Sequence, residues 1–213
     1  MALLKTKLCP PVEPDALVDR TRLGLHLSEV ATRRITYIQA PTGYGKTCLL
    51  SQWHHALRAN GNTVSWLTLG QSDRDVIGLL CYVSASLAFA GVALNPTQNV
   101  TGNDCYATRE SLITDIIEAL ERHEKPVFLF FDDMHLLPAA PQTALCELIE
   151  RAPTQARFIG ASRSTPDLHL ARARARGELL EISVDDIKFT TAEIKAFMRD
   201  ITHLDATDLE VLE

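Results

Sequence analysis

The chain lacks the cysteine and histidine spacings that hold metal ions. Its five cysteines are scattered, and no two of them have the Cys-x-x-Cys spacing of a zinc site or a redox pair. The seven histidines show no metal-ligand spacing either. An odd number of cysteines does not suit a disulfide framework, so we expect reduced, partly buried thiols, as in a cytoplasmic protein.

The chain also lacks an excess of positive charge, an internal repeat and a low-complexity tract. It has 21 Lys and Arg against 27 Asp and Glu, a net charge of −6, which argues against broad nucleic-acid binding. Lys5 and Lys7 interrupt the first residues, so no signal peptide is expected. With 213 residues, 46% of them hydrophobic, we expect one soluble domain with a sizeable core and the start of a second.

One uncharged segment, residues 76–94, is long enough to be tested as a membrane span. Glycine and serine residues dilute its apolar character, and it lies where an α/β fold needs a buried helix. We therefore expect a buried helix at 76–90 and no membrane partner, with a membrane span as the alternative.

The most informative segment is a glycine-rich turn at residues 40–47, Ala-Pro-Thr-Gly-Tyr-Gly-Lys-Thr. An apolar, β-branched strand at 35–39 precedes it, and apolar residues at helical spacing follow it. The order of strand, glycine turn, Lys-Thr and helix is the context of a phosphate-binding (Walker A) loop. Ala40 replaces the first glycine of the strict pattern, at a position where a methyl group is tolerated. The alternative is a chance Gly-Lys-Thr in a surface turn.

This loop predicts how a nucleoside triphosphate is held. Backbone N–H groups of residues 43–47, at the positive end of a helix, would bind the β-phosphate. Lys46 would reach the β- and γ-phosphates, and the Thr47 hydroxyl would bind Mg²⁺. The predicted nucleotide-binding residues of the loop are Pro41, Thr42, Gly43, Tyr44, Gly45, Lys46, Thr47 and Cys48.

A second strand, residues 127–131, is apolar throughout and ends in two carboxylates, a Walker B pattern. Asp132 would lie at the carboxyl edge of the sheet beside the Mg²⁺ at Thr47, and Asp133 would orient or deprotonate the attacking water. The alternative is a turn or helix-capping pair. We interpret His135 as a surface histidine of the following loop, with contact to the γ-phosphate region as the alternative.

A third strand, residues 156–162, ends in Arg163. An arginine at that edge can reach the γ-phosphate and report its presence, and the alternative is a solvated side chain. Lys46, Asp133 and Arg163 are therefore the predicted catalytic residues, and Thr47 and Asp132 are the predicted metal ligands.

The pattern of elements predicts an α/β fold of the P-loop NTPase type. Further strands are expected at 63–69 and 179–182, and helices at 17–32, 109–122 and 141–149. Five strands alternating with helices indicate a parallel sheet covered on both faces, in the order 5-1-4-3-2. A ligand then binds at the carboxyl ends of the strands, where all the candidate residues lie.

We predict a nucleotide-binding domain at 1–184, in which 1–34 are a lead-in and a helix. Residues 185–213 begin a following helical or winged-helix region, because Thr190 and Glu193 form a capping box that opens a helix to about Ile201. Another helix begins near Asp205 and continues to the last residue.

Residues 3–200 resemble the N-terminal ATPase region of the large ATP-binding LuxR-type transcription activators, which are STAND signalling NTPases. The motifs that carry the resemblance include Thr6-Lys7-Leu8-x-Pro-Pro, Leu17-Val18-x-Arg20-x-Arg22-Leu23, Pro41-x-Gly43-Tyr44-Gly45-Lys46-Thr47, Phe131-Asp132-Asp133-x-His135 and Ser162-Arg163-x-x-Pro166. One departure is Gly70, where the family usually has an acidic residue, although Asp73 is kept.

The resemblance implies an ATP-driven switch with ATP or ADP and Mg²⁺ as cofactors. ATP favours an active, self-associating state in such proteins, and slow hydrolysis resets it. Val18, Arg20 and Arg22 would lie against the base or the ribose. The other partners are downstream domains of a longer chain, and DNA would be bound only through a region that these residues do not include.

Two other function classes remain open at this point. The first is a kinase or other phosphotransferase on the same core, with residues 164–177 as its lid. The second is an interaction module that binds a nucleotide without cleaving it. Arg172, Arg174 and Arg176 are interpreted as a solvated face or a contact to a neighbouring domain rather than a nucleic-acid site, because the domain is acidic.

Overall fold

A computed structural model describes residues 3–12, 20–71, 73–94, 108–164 and 170–202. Within these residues, strands and helices alternate along the chain as predicted. The strands are β1 (Ile35–Gln39), β2 (Thr63–Thr68), β3 (Val127–Asp132), β4 (Ala156–Ser162) and β5 (Leu179–Ile182). The helices are α1 (Thr21–Gly24), α2 (His26–Thr32), α3 (Lys46–Ala59), α4 (Val76–Phe89), α5 (Arg109–Arg122), α6 (Ala139–Arg151), α7 (Leu170–Ala175), α8 (Val184–Ile187) and α9 (Thr191–Thr202).

The five strands form one parallel sheet in the order β2-β3-β4-β1-β5, so the predicted order is confirmed. In the register of this sheet, Gln39 at the end of β1 pairs with Ser162 at the end of β4. The carboxyl ends of β1, β4 and β3 are therefore neighbours, because β4 lies between the other two. The residues that follow these three strands therefore lie close together at this edge of the sheet.

The sheet separates two hydrophobic cores, and β3 contributes to both. Leu129 and Phe131 point into a core shared with α4, α5 and α6, whereas Phe128 and Phe130 point into a core shared with α2 and α3. Alternate side chains of a strand face opposite sides of a sheet, so a strand that is apolar at every position is buried on both faces. The continuous apolar run before Asp132 is thus explained by packing.

The structure places several predicted helices with small differences. A capping box between Thr108 and Ser111 begins α5, and an apolar face on the helix is buried as predicted. The predicted start of α6 at Pro141 is wrong by two residues, because the helix begins at Ala139. Pro141 still lies in the first turn, where its missing N–H removes no intrahelical hydrogen bond.

The predicted continuous helix at 17–32 is wrong in its described part. There the chain forms α1 and α2, separated at Leu25, and Gly24, a weak helix former, directly precedes the break. The first residues of that predicted helix and the predicted helix near Asp205 lie outside the described residues.

The uncharged segment at 76–94 that was tested as a membrane span forms α4, which is 14 residues long. Within the described ranges, no helix is both long and apolar enough to cross a bilayer.

Candidate functional site

The glycine-rich turn between β1 and α3 depends on two left-handed glycines. Gly43 has a φ of +89° and Gly45 a φ of +75°, and Gly45 is the N-cap of α3. Side chains other than glycine are strained in this region of φ. The turn leads directly into the N-terminus of α3, the part of a helix whose free backbone N–H groups bind anions.

Lys46 is folded over this turn. The residue is buried, with an exposed fraction of 7%. Its Nζ donates a hydrogen bond of 2.8 Å to the Pro41 carbonyl oxygen. Burial and the nearby Arg163 charge lower the pKa of Lys46, and the Asp133 and Asp132 carboxylates oppose that shift. An ammonium has three donors, so two N–H groups of Lys46 are available for a ligand while the third holds the loop.

Thr47 and Asp132 meet across the sheet edge. The Thr47 hydroxyl donates to Asp132 Oδ2 at 2.8 Å, and the Asp133 N–H donates to Asp132 Oδ1 at 2.9 Å. Asp132 is 2% exposed, and this burial raises the pKa of its carboxyl, although the hydrogen bond from Thr47 acts in the opposite direction. A hydroxyl beside a buried carboxylate provides the hard oxygen ligands that Mg²⁺ takes in proteins, so these residues fit that ion.

Asp133 has a left-handed backbone, with a φ of 58°, and its side chain is one-third exposed. His135 Nδ1 lies 3.8 Å from Asp133 Oδ1, beyond hydrogen-bond distance. The prediction that His135 lies on the surface is wrong, because its side chain is only 12% exposed. Neither ring nitrogen has a hydrogen-bond partner among the described residues, and burial lowers the pKa of this histidine.

Arg163 follows β4 and is exposed at the same sheet edge. It lines a cavity of about 540 Å³ together with Pro41 of the loop and Gln39 and Tyr37 of β1. The Tyr37 hydroxyl donates to the Ser164 carbonyl oxygen at 2.6 Å and fixes the turn after β4. Burial raises the pKa of Tyr37 to about 12, so the phenol stays a hydrogen-bond donor at neutral pH.

The structure places Arg20 beside the phosphate loop, because a Cβ built on Gly45 would lie 3.9 Å from Arg20 Nη1. The Arg20 and Arg22 guanidinium groups donate to Glu193 and to the carbonyl oxygens of residues 186–188. Val18, predicted with them, lies outside the described residues.

Sequence reasoning interpreted Glu193 only as part of a capping box, and missed its contact with both arginines. The capping box itself is formed: Thr190 N–H donates to Glu193 Oε2 at 2.8 Å, and Glu193 N–H donates to Thr190 Oγ1 at 3.2 Å. Burial acts to raise the pKa of Glu193, but the Thr190 hydrogen bond and the two arginines outweigh it and lower that pKa. An acidic residue in a capping box cannot be assigned a distant partner from sequence alone.

The remaining loop residues surround the same site. Thr42, Gly43 and Tyr44 are exposed, and Cys48 is half-buried in the first turn of α3. The structure thus brings the loop, Asp132, Asp133 and Arg163 to one edge, with Arg20 and Arg22 beside it.

Residues 19–159 match the AAA ATPase domain family. The chain belongs to that family. Membership implies that the domain binds a nucleotide, and it accounts for the phosphate loop and the acidic strand end within the matched range.

The domain is also similar to the HTH-type transcriptional regulator MalT of Yersinia enterocolitica, with 31% identity over 197 residues. This match covers 92% of the chain and 21% of the regulator, so the domain spans about a fifth of the length of the curated relatives it matches. The resemblance to the large ATP-binding LuxR-type activators is thereby confirmed.

Two solved structures share the fold at low sequence identity. The Walker-type ATPase PABY2304 of Pyrococcus abyssi has a TM-score of 0.60 at 12% identity, covering 92% of this chain and 61% of that one. The Orc1 protein of Aeropyrum pernix, solved in complex with DNA, has a TM-score of 0.58 at 14% identity, covering 87% and 50%. These neighbours support the P-loop NTPase fold.

Proposed function

We propose that this domain is the ATP-binding switch of a transcription regulator, in which slow hydrolysis of ATP to ADP resets the active state. The similarity to MalT supports the regulatory role. The site supports the nucleotide role, because its loop, buried acid and exposed arginine lie on one sheet edge. ATP binding would favour self-association, and DNA would be bound by parts of a longer chain.

The observation that carries the proposal is the 2.8 Å hydrogen bond from the Thr47 hydroxyl to Asp132 Oδ2. These residues lie 85 positions apart in the sequence, and a chance Gly-Lys-Thr turn would have no reason to meet a buried carboxylate. Asp132 is ionisable, buried and without a cationic hydrogen-bond partner among the described residues. A divalent cation would supply that missing charge.

Each residue then has a role in the proposed site. Backbone N–H groups of residues 43–47 hold the phosphates, and Lys46 neutralises the β- and γ-phosphates. Thr47 and Asp132 would hold Mg²⁺, which neutralises charge that develops on the phosphates when it is bound. Asp133, one-third exposed, orients the attacking water. Arg163 contacts the γ-phosphate, and Arg20 and Arg22 flank the base or the ribose.

Titration of the protein with ATP, with and without Mg²⁺, tests the proposal. We expect Lys46→Ala to weaken ATP binding by about 10- to 100-fold, because a charge-assisted interaction is lost. Thr47→Ala should remove the gain in affinity that Mg²⁺ gives the unaltered protein. Lys125→Ala and Thr143→Ala, exposed lysine and threonine residues away from the site, are the matched controls.

Unchanged ATP affinity in both site variants would overturn the proposal. Turnover of the bound nucleotide separates a switch from a module that binds without cleaving. We expect slow phosphate release by the unaltered protein and at least about 10-fold slower release by Asp133→Asn. Equal rates in these two proteins would remove Asp133 from the assignment and leave the binding site in place.

A further inference from the structure

The opposite edge of the sheet carries a cluster of arginines that the nucleotide site does not use. Arg33 and Arg34 precede β1, Arg157 lies at the beginning of β4, and Arg172 and Arg176 lie on and just after α7, which leads into β5. Because β4, β1 and β5 are neighbours, these five residues converge on the amino ends of three adjacent strands. We call them the arginine patch.

Main-chain oxygens, not carboxylates, hold the innermost arginines of the patch. Arg34 Nη2 donates to the carbonyl oxygens of Ile149 and Ala152, both at 2.7 Å. Arg33 donates to the Gly177 carbonyl oxygen, and Arg157 donates to that of Thr154. Such bonds fix the orientation of a guanidinium group without neutralising its charge.

The patch has a local charge opposite to that of the whole chain. Two adjoining cavities, of about 70 and 320 Å³, share Arg34 and Glu178 in their walls. Besides the five arginines, the charged residues lining the cavities are Glu150 and Glu178, and neither forms an ion pair with the patch among the described residues. Five positive charges against two negative charges leave an excess of +3 in a chain of net charge −6.

The positive charges of the patch are close enough to affect one another. Burial and then the charge of Arg34 lower the pKa of Arg157. The side chains of Arg172 and Arg176 are exposed, and neither guanidinium group forms a hydrogen bond in the part of the chain that the structure describes. Three arginines of the patch are thus held by main-chain oxygens, and the other two are exposed to solvent. This arrangement favours the binding of an anionic ligand from solution.

We infer that the arginine patch is a docking site for an acidic segment of a protein partner, at the sheet edge opposite the nucleotide site. Carboxylates of such a segment would bind the guanidinium groups in pairs of hydrogen bonds. Glu150 and Glu178 favour a peptide over a nucleic acid, because a polypeptide offers N–H donors to them whereas a phosphate backbone repels them.

Fluorescence anisotropy with a labelled octaglutamate peptide tests this inference on the full chain. We expect binding that weakens as salt is added, because surface charges are screened. The double variant Arg172→Gln, Arg176→Gln should weaken binding at least about fivefold, since two charge-assisted contacts are lost. Both residues are exposed, so the variant should keep the thermal stability of the unaltered protein.

The matched control is Arg122→Gln, Arg174→Gln, which removes the same total charge. Arg174 lies on the same helix as Arg172, but it pairs with Glu181 at 2.6 Å and does not line either cavity. We expect this control to bind octaglutamate within about twofold of the unaltered protein. Equal losses in the two double variants would overturn the inference, because net charge alone would then explain binding.

Two further arms complete the experiment. A labelled octalysine peptide should not bind the patch, and a labelled single-stranded oligothymidine of eight nucleotides should bind more weakly than octaglutamate. Tighter binding of the oligonucleotide, with the same dependence on Arg172 and Arg176, would replace the inference with a nucleic-acid site. No binding of octaglutamate at low salt would also overturn it. ATP affinity should be equal in all these proteins, so the result is separate from that of the nucleotide site.

Discussion

Asp132 and His54 show how burial controls single ionisable residues in this domain. Each is almost fully enclosed, with exposed fractions of 2% and 3%. Neither has an opposite charge within hydrogen-bond distance among the described residues, and His54 Nδ1 has no described partner there. Burial without a counter-charge favours the neutral form, so it raises the pKa of Asp132 and lowers the pKa of His54 to about 4.

Asp132→Asn should stabilise the free protein at neutral pH while removing Mg²⁺-dependent ATP binding. A carboxyl whose pKa is raised by folding binds its proton more tightly in the folded state, so ionisation at pH 7 destabilises that state. The gain in melting temperature should be present at pH 7 and should shrink as the pH falls toward 3.8, the ordinary pKa of the group. Thermal denaturation from pH 4 to pH 8 measures it.

The control for that substitution is Asp185→Asn, which removes an exposed carboxylate paired with Lys188 at 2.8 Å. It should change the melting temperature little at any pH, because exposed ion pairs contribute about 0–1 kcal/mol. A lower melting temperature of Asp132→Asn at pH 7 would contradict the argument, since it would mean that the buried charge is already compensated.

His54→Phe should flatten the dependence of stability on pH. The ring of His54 lies edge-on to Trp66 and Phe130, with centroids 5.8 and 5.7 Å apart, so an aromatic replacement fits the same surroundings. In the unaltered protein the unfolded chain binds a proton near pH 6.5 and the folded chain only near pH 4. Stability is therefore lost as the pH falls through that window, by about 3 kcal/mol in total.

Urea unfolding of the two proteins at pH 7 and pH 4.5 measures this difference. His55→Gln, which removes the exposed neighbouring imidazole, should reduce the slope only slightly, because burial lowers the pKa of His54 more than the charge of His55 does. If His54→Phe loses stability between the two pH values as steeply as the unaltered protein, then His54 is not the group responsible.

At the scale of elements, the turn after β3 depends on a missing side chain in β4. Met134 begins a short 3-10 helix, Met134–Leu136, directly after Asp133. A Cβ built on Gly160 of β4 would clash with Met134 Sδ, so glycine allows the methionine to pack on the strand. The contact between this turn and β4 therefore helps to fix the backbone that carries Asp133 and His135.

Gly160→Ala should destabilise the protein by about 1–3 kcal/mol, because it overpacks this contact. It should also slow phosphate release, because displacement of Met134 moves Asp133. A double-mutant cycle checks the cause: in a Met134→Ala background, the loss caused by Gly160→Ala should fall below about 0.5 kcal/mol. Equal losses in the two backgrounds would show that the strain lies elsewhere.

At the scale of the whole molecule, the segment after β5 packs on the nucleotide-binding domain. Ile187 is 1% exposed and belongs to the same core as Leu23. Glu193 joins Arg20 and Arg22 to the beginning of α9. A boundary at residue 184 remains a proposal, and these contacts give it a measurable consequence.

A chain that ends at residue 184 should be less stable than one that ends at residue 202, by at least about 2 kcal/mol. The shorter chain loses the burial of Ile187, and an isoleucine side chain contributes about 1.5–3 kcal/mol when fully buried. It also leaves Arg20 and Arg22 without Glu193. Urea unfolding of both chains gives the difference, and Ile187→Ala in the longer chain should reproduce most of it. Equal stability would place the boundary where it was predicted.

Local pattern was enough to predict the five strands, their order and most of the helices of this protein. The apolar runs that become β1, β3 and β4, the glycine turn before Lys46 and the capping box at Thr190 are readable because each depends on neighbours in sequence. The parallel order follows from the alternation of strands and helices. The carboxyl ends of those strands then collect the candidate nucleotide site, which sequence reasoning could place without coordinates.

Contacts between distant residues were decided only by tertiary structure. The burial of His135, the pairing of Glu193 with Arg20 and Arg22, and the packing of Met134 on Gly160 each join segments that local sequence does not relate. The arginine patch arises in the same way, because three chain segments meet only when β4, β1 and β5 become neighbours. Hydrophobic periodicity and secondary-structure propensity depend on residues close in sequence. The burial and the electrostatic surroundings of a side chain depend on which distant residues the fold brings next to it.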